Sequence, residues 1–240
     1  MSRIAVVTGG TRGIGEAICL KLQEKGRMVI ANYGGNDAAA KAFSERTGIA
    51  VRKWDVGDHQ SCLDACAAIE AEFGPIDIMV NNAGITRDGQ FRKMSKADWD
   101  AVISTNLNSM FNVTKQVIEG MIEANFGRVV NISSVNGQKG QFGQVNYSTA
   151  KAGLHGFTMA LAQELASKGV TVNTVSPGYI GTDMVKSIRP DVLEKIVAGV
   201  PAKRLGTPEE IASIISWIAS DEGGYATGAD FSLNGGLHMG

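Results

Sequence analysis

Short runs of apolar, often β-branched residues alternate along the chain with longer amphipathic segments. Seven of these runs have the length of strands: Ile4–Thr8, Met28–Asn32, Ala50–Trp54, Ile76–Asn81, Arg128–Ser133, Val170–Ser176 and Ala229–Asn234. The nearly continuous apolar runs predict strands buried on both faces, as in a parallel sheet. The segments between them, such as residues 14–26 and 59–74, have helical length and end in glycine, which is common just beyond a helix C-terminus.

Repeated strand–helix–strand units predict right-handed crossovers and a doubly wound sheet. We therefore expect an α/β protein, with one Rossmann domain of about seven strands over residues 1–240. No Pro- or Ser-rich linker divides the chain. A helix start is also predicted near the C-terminus, where Thr207 is a good N-cap, Pro208 follows at the first helical position, and Glu210 completes a capping box.

Composition narrows the classes of partner. The formal net charge of -1 provides no basic field for nucleic acid. No apolar run reaches the roughly 18 residues of a membrane span, and the N-terminus lacks the features of a signal peptide. The odd number of cysteines (Cys19, Cys62 and Cys66) argues against a disulfide framework and favours a cytoplasmic location. Cys62 and Cys66 are predicted to be core residues, and no metal site is expected.

The first predicted strand is followed by a glycine-rich turn, TGGTRGIG, at residues 8–15. Gly9, Gly13 and Gly15 would allow a tight turn, and the backbone around Ile14 would approach a pyrophosphate at the start of the next helix. An ordinary strand–helix turn is the alternative. The position of the turn after the first strand of an α/β chain favours a dinucleotide site.

The choice between NAD(H) and NADP(H) depends on the end of the second strand. A site for NAD(H) usually has Asp or Glu there, which binds the ribose hydroxyls. The corresponding position is near Asn32, within ANYGG, so no carboxylate would repel a 2′-phosphate. Arg12, inside the glycine-rich turn, could pair with that phosphate. These two residues predict NADP(H).

Three more segments follow predicted strands, at the sheet edge where such folds bind ligands. Asp55 could accept a hydrogen bond from the adenine amino group. Two further groups would line the cofactor: Asn82, Ala83, Gly84 and Ile85 after the fourth strand, and Pro177, Gly178 and Ile180 after the sixth. Each segment alone is equally typical of a turn, but their common edge favours a site.

The predicted proton-transfer group comes from the fifth strand and the helix that follows it. Ser134 ends that strand, and Tyr147 and Lys151 are one turn apart in a helix starting near Asn146. Tyr147 would donate a proton to a carbonyl oxygen that Ser134 orients. Lys151 would lower the pKa of Tyr147 and hold the nicotinamide ribose, and Asn106 would support Lys151.

These motifs together resemble the short-chain dehydrogenase/reductase family across essentially the whole chain. The resemblance rests on TGGTRGIG, NNAG, Asn106, Ser134, YSTAK and PG, in matching order and spacing. It implies a single-domain Rossmann fold, commonly a homotetramer, with an Asn-Ser-Tyr-Lys active site.

Within that family, AGITRD and GQKGQFGQ resemble the bacterial reductases that use acetoacetyl-CoA in polyhydroxybutyrate synthesis. This resemblance implies reduction by NADPH to the (R)-3-hydroxybutyryl thioester. It also implies substrate contacts by Asp88, Gln141, Phe142, Gln144 and Tyr179. The chain departs from these reductases after the second strand, where GGNDAAAK has no Arg to assist 2′-phosphate binding.

Two other functions remain open. The first is reduction of 3-oxoacyl groups on acyl carrier protein, which could dock on the basic residues Arg87, Arg92, Lys93 and Lys96, although these also fit a solvated face. The second is a non-catalytic NADP(H)-sensing regulator. Among the histidines, His59 is expected to open a helix, His155 to be packed or half-exposed, and His238 has no predicted role.

Overall fold

The computed structural model describes residues 2–182, 185 and 189–239 of the chain. Its strands are β1 (Ile4–Val7), β2 (Met28–Tyr33), β3 (Ala50–Lys53), β4 (Ile76–Asn81), β5 (Gly127–Ile132), β6 (Val170–Pro177) and β7 (Asp230–Leu233). They form one sheet in the order β3-β2-β1-β4-β5-β6-β7, and every pairing is parallel. The predicted fold class is confirmed, with strand boundaries shifted by one residue at most.

Helices connect these strands. The α-helices are α1 (Gly13–Glu24), α2 (Asp37–Thr47), α3 (His59–Phe73), α4 (Lys96–Ile103), α5 (Ser109–Glu123), α6 (Val135–Lys139), α7 (Val145–Leu165), α8 (Pro190–Gly199) and α9 (Pro208–Ile218). Short 3₁₀ turns span Phe91–Lys93 and Ala166–Lys168, and a π-helix spans Ser104–Asn108 between α4 and α5. The predicted capping box at Thr207 and Glu210 is present at the start of α9.

The core lies on both faces of the sheet, as the apolar strands predicted. In β1, Ala5 and Val7 pack into one cluster, which includes Ile18 of α1 and Ile215 of α9. Ile4 and Val6 alternate to the opposite face and join a second cluster. Burying each such aliphatic side chain contributes about 1.5–3 kcal/mol, so this alternation fixes the register of the central strand.

The cysteines belong to these clusters. Cys62 and Cys66 of α3 are buried in the second cluster, which confirms their predicted core position. Cys19 of α1 is buried in the first. Burial raises the pKa of the Cys62 and Cys66 thiols to about 12, so these side chains behave as small apolar groups.

The sheet topology positions a ligand crevice. From β1 the chain winds outward through β2 and β3, and then returns to β4 on the other side of β1. This reversal puts the carboxyl ends of β1 and β4 at a topological switch point, where open α/β sheets bind ligands. The described residues include no helix that is long and apolar enough to cross a membrane.

Candidate active site

The glycine-rich turn packs tightly between β1 and α1. Gly9 and Gly13 have φ values of 62° and 56°, in the left-handed region that favours glycine. A Cβ on Gly15 would lie 2.2 Å from the carbonyl oxygen of Gly9, so no side chain fits there. Arg12, the N-cap residue of α1, provides no side-chain hydrogen bond to the first turn. The start of α1 therefore has the geometry of a phosphate cradle.

The side chain of Asn32 does not face the position predicted for the cofactor ribose. Asn32 is buried, its Oδ1 accepts from the backbone N–H of Gly9 at 3.1 Å, and its Nδ2 donates to the carbonyl oxygen of Trp54 at 3.0 Å. It joins the glycine-rich turn to the ends of β2 and β3. The strand continues to Tyr33, and the nearest following carboxylate, Asp37, pairs with Lys53 at 3.0 Å.

The residues predicted after β3 and β4 have different local roles. Asp55 is exposed, and one carboxylate oxygen accepts from the backbone N–H of Gly57 at 2.8 Å. The Asn82 amide donates to the carbonyl oxygens of Thr8 and Gly9 at 2.9 and 3.1 Å, which fixes β4 to β1. Asn82 thus stabilises the glycine-rich turn by binding its backbone.

Ser134, Tyr147 and Lys151 come together in a cleft of about 240 Å³. The predicted cofactor residues that also line it are Ile14, Asn82, Gly84, Ile85, Pro177, Gly178 and Ile180, together with the predicted substrate residue Tyr179. A larger cavity of about 500 Å³ lies on the other side of Tyr179, between Arg204, Glu210 and Asn234. It contains none of the predicted proton-transfer residues, so the smaller cleft is the candidate active site.

Lys151 is held at the floor of this cleft. Its Nζ donates to the carbonyl oxygen of Ile132 at 2.6 Å, and it lies 5.7 Å from the ring centroid of Tyr147, one turn earlier on α7. Burial lowers the pKa of Lys151 to about 8. The ammonium form therefore predominates at neutral pH, within a narrow margin.

The pKa of Tyr147 moves in the opposite direction from the sequence prediction. Burial raises it, hydrogen bonding with Ser134 partly counteracts this rise, and the negative charge of Asp88 adds to it. A lowered pKa of Tyr147 is therefore contradicted for the chain alone, because desolvation of the phenolate is the largest cause of the shift and Lys151 is not among its causes. Tyr147 remains a neutral phenol at neutral pH, which is the form that donates a proton.

Asn106 occupies the π-helix and is fully buried. Its side-chain amide binds the loop after β4. There Oδ1 accepts a hydrogen bond from the backbone N–H of Ile85, and Nδ2 donates one to the carbonyl oxygen of Ile85, both at 2.8 Å. A Cβ on Gly84 would lie 3.5 Å from Oδ1 of Asn106 and 3.7 Å from Nζ of Lys151. Gly84 therefore leaves open the space next to both groups, where a flat ring could enter.

Of the predicted substrate residues, Tyr179 lines the cleft, whereas the other four lie in two segments outside its lining, here called the rim: Asp88, Gln141, Phe142 and Gln144. Gln144 donates to the carboxylate of Asp88 at 2.9 Å and accepts from the amide of Asn136 at 2.9 Å. Gln141 and Phe142 are exposed beyond this link, and Phe142 retains 82% of its accessible surface. Gln144 is therefore joined through Asn136 to Ser134, which lines the cleft.

Sequence reasoning missed two structural side chains. Asn146 is fully buried, and its amide donates to the carbonyl oxygen of Arg87 at 3.0 Å while Oδ1 accepts from the backbone N–H of Tyr147 at 2.8 Å. A polar residue directly before Tyr147, at a helix start, was the available signal. Asn136, which follows Ser134 on α6, left no comparable signal, because its partner Gln144 is reached only through the fold.

A parallel sheet with a phosphate cradle after β1, next to a cleft that contains Ser, Tyr and Lys, defines a dinucleotide-dependent α/β oxidoreductase. The family model "short chain dehydrogenase" matches residues 3–193. The chain belongs to the short-chain dehydrogenase family and is an oxidoreductase that uses a nicotinamide cofactor.

Named relatives align with nearly the whole chain. An acetoacetyl-CoA reductase from Cupriavidus necator is 63% identical, over 99% of this chain and 99% of that protein. One from Shinella zoogloeoides is 58% identical, over 98% of each. A 3-oxoacyl-[acyl-carrier-protein] reductase from Vibrio harveyi is 45% identical, over 99% of this chain and 98% of that protein.

Proposed function

We propose that the protein reduces the 3-keto group of acetoacetyl-CoA with NADPH, giving (R)-3-hydroxybutyryl-CoA for polyhydroxybutyrate synthesis. The observation that carries this proposal is the convergence of Ser134, Tyr147 and Lys151 in one cleft beside a dinucleotide cradle. The higher identity to acetoacetyl-CoA reductases than to a carrier-protein reductase supports the choice of substrate.

A nicotinamide held beside the glycine-rich turn would supply a hydride to the keto carbon. Tyr147 supplies the proton that the keto oxygen then needs, and its raised pKa keeps that proton on the phenol until negative charge develops on the oxygen. Ser134 faces the same cleft and orients the oxygen by donating a hydrogen bond. Proton transfer and alignment thus come from Tyr147 on α7 and Ser134 at the N-cap of α6.

Lys151 and Asn106 would support the proton transfer, the first through its charge and the second by holding the loop after β4. The ammonium of Lys151, lying 5.7 Å from the Tyr147 ring centroid, stabilises negative charge as the proton leaves. Asn106 holds the backbone of Ile85, and therefore the loop over which the nicotinamide would lie. Asn106 would support Lys151 through the shape of the cleft, since both side chains border the space next to Gly84.

NADP(H) is the cofactor that the charge distribution favours. Arg12 is exposed at the start of α1, and no ion pair involves it among the described residues. Lys53 lowers the pKa of Asp37 and neutralises the nearest carboxylate after β2. Asp55, at the end of β3, would bind the adenine through its remaining carboxylate oxygen.

Arg12 provides the test of this cofactor choice. In Arg12→Ala we expect KM for NADPH to rise about tenfold, the size of one lost charge-assisted contact, with KM for NADH unchanged. Steady-state kinetics with both cofactors measures the two values. An unchanged ratio of NADPH to NADH preference would remove Arg12 from the 2′-phosphate site.

The substrate would enter over the rim. The acetoacetyl thioester is proposed to contact Asp88, Gln141, Phe142, Gln144 and Tyr179. The exposed apolar ring of Phe142 would pack against the CoA part of the thioester. The alternative carrier is acyl carrier protein. Of the basic residues near the rim, Lys96 is paired with Asp100 at 2.5 Å. Among the described residues, the side chains of Arg87 and Arg92 form hydrogen bonds with Thr86 and Gln90 of their own segment.

Turnover with the two carriers decides between these substrates. NADPH oxidation should have a higher kcat/KM with acetoacetyl-CoA than with acetoacetyl-acyl carrier protein, and chiral analysis should find the (R)-product. A preference for the carrier protein would favour fatty-acid synthesis instead. Tight NADPH binding without turnover on either thioester would indicate a nucleotide-sensing regulator.

We also propose a cytoplasmic homotetramer. Large apolar side chains are exposed on two separate surfaces, Phe111 and Met159 on α5 and α7, and Trp217 and Tyr225 near α9 and β7. Two self-complementary surfaces are what a tetramer with twofold axes requires. The three cysteines are free and buried, as suits a reducing compartment.

A further inference from the structure

A second polar network joins the cleft, which Ser133 lines, to His155, one turn beyond Lys151 on α7. Ser133, the residue before Ser134, donates its hydroxyl proton to the main-chain carbonyl oxygen of Lys151 at 2.8 Å. Its Oγ is also 3.1 Å from Nε2 of His155, and Nδ1 of His155 lies 3.7 Å from the carboxylate of Asp230. The proposed proton transfer uses none of these three side chains.

Proton counting fixes the direction of this network. A serine hydroxyl has one proton, and in Ser133 it points to the carbonyl oxygen of Lys151. The contact at 3.1 Å must therefore use a proton on Nε2 of His155, which donates to Oγ of Ser133. If His155 stopped donating, the Ser133 hydroxyl could turn toward the imidazole and leave Lys151.

The last residues of β5 and the loop after it hold Lys151 at both ends. The carbonyl oxygen of Ile132 accepts from the Lys151 ammonium at 2.6 Å, while Ser133 bonds the Lys151 main chain. Ser134, which follows, faces the cleft. A displacement at Ser133 would therefore alter the placement of Lys151 relative to Ser134 directly.

Asp230 is firmly placed at the far end of the network. It lies on β7, and its carboxylate accepts from Ser176 of β6 at 2.7 Å and from Gln138 of α6 at 2.6 Å. Two strands and α6 thus fix the carboxylate, which lies 3.7 Å from Nδ1 of His155, beyond hydrogen-bond distance. Both His155 and Asp230 keep about a fifth to a quarter of their side-chain surface (21% and 25%), so the pair is partly shielded from water.

We propose that His155 is a positioning residue for Lys151, acting through the hydrogen bond to Ser133. The inference rests on the proposed reductase activity, since its readout is turnover. His155 touches neither the cleft nor the reacting atoms. Its effect should appear mainly in kcat, because misplacing the Lys151 ammonium weakens charge stabilisation during proton transfer, whereas of the predicted cofactor contacts only that of Lys151 with the nicotinamide ribose is displaced.

A double-mutant cycle tests the inference. We expect His155→Leu and Ser133→Ala each to lower kcat about tenfold, with the Kd for NADPH within twofold of wild type, and the double variant to fall no further than either single variant. His155→Gln should recover most of the loss, because its amide can still donate to Ser133. His59→Leu, at the start of α3, is the matched control.

Three results would overturn the inference. These are a wild-type kcat in His155→Leu, losses that multiply in the double variant, or the same loss in His155→Gln as in His155→Leu. All kcat and Kd values are ratios to the wild type, measured with whichever 3-ketoacyl thioester the wild type reduces faster. Absence of turnover by the wild type would contradict the proposed function, whereas the three results above would contradict the role of His155 alone.

Discussion

Burial of Lys151 destabilises the folded protein and places an ammonium group in the candidate active site. Its ammonium is buried on the carbonyl of Ile132, and burial lowers its pKa from 10.5 to about 8. Between these two pKa values the unfolded chain binds a proton that the folded chain does not, so the free energy of unfolding rises with pH in that range. At pH 7 the folded protein carries the full penalty of the buried charge.

The substitution Lys151→Met tests this penalty. From pH 7 to pH 10, the free energy of unfolding of the wild type relative to the variant should increase by about 3 kcal/mol, the equivalent of the pKa shift. Urea denaturation at the two pH values measures it. Lys168→Met, at an exposed lysine, should show no such change. A difference between wild type and Lys151→Met that is equal at both pH values would contradict the lowered pKa.

Residue identities indicated which groups would meet, but the states of those groups depended on the fold. Tyr147 and Lys151 share a helix face by spacing alone, and that prediction needed no tertiary contact. The raised pKa of Tyr147 comes from burial, which spacing does not report. The role of Asn32 was also hidden, because its partner Gly9 lies 23 positions away in sequence.

At the scale of elements, α9 is the helix whose start was most clearly predictable. Thr207 accepts from the backbone N–H of Glu210 at 3.2 Å, and Glu210 returns a carboxylate oxygen to the backbone N–H of Thr207 at 2.8 Å. Arg204 forms two hydrogen bonds with the same carboxylate, and the pKa of Glu210 falls to about 2. The contribution of Glu210 to stability is present above about pH 4.5 and is lost as the pH falls toward 2.

Removing the cap should destabilise the protein by a modest amount. Thr207→Ala is expected to lower the free energy of unfolding by about 1 kcal/mol and Tm by about 2–4 °C, because one backbone donor of α9 loses its partner. Differential scanning calorimetry measures Tm, and Thr207→Ser should behave like the wild type. A Tm for Thr207→Ala equal to that of the wild type would show that the capping box does not stabilise α9.

Elements with a local signal were predictable, and those without one were not. Apolar runs bounded by glycine gave the seven strands almost to the residue. The π-helix at residues 104–108 has no such pattern. Its buried Asn106 is bonded to Ile85, 21 residues earlier, so it is recognisable only when the β4 loop is already in place.

At the scale of the whole molecule, the exposed apolar side chains predict that the protein associates in solution. Phe111 keeps 57% of its surface on α5, and Tyr225 keeps all of its surface near β7 (102%). Light scattering should therefore give four times the chain mass of 25.3 kDa. Phe111→Glu should lower that mass, because a charge cannot be buried at the contact without a partner.

Phe142→Glu is the matched control for this assembly. Phe142 is more exposed than Phe111, at 82%, but lies on the rim of the cleft, so its variant should keep the mass of the wild type. A wild-type protein with the mass of one chain would contradict the tetramer. Equal loss of mass in both variants would show that charge alone, and not the α5 surface, controls association.

Tyr147 of α7 is the proposed proton donor to the oxygen of a bound ketone. The most direct test is steady-state NADPH oxidation by Tyr147→Phe with acetoacetyl-CoA, with NADPH binding measured in parallel and Tyr225→Phe as control. We predict that kcat falls by at least about 100-fold, the usual contribution of a general acid, while the Kd for NADPH stays within about twofold of wild type. Turnover by Tyr147→Phe near that of the wild type, with NADPH still bound, would show that Tyr147 is not the proton donor.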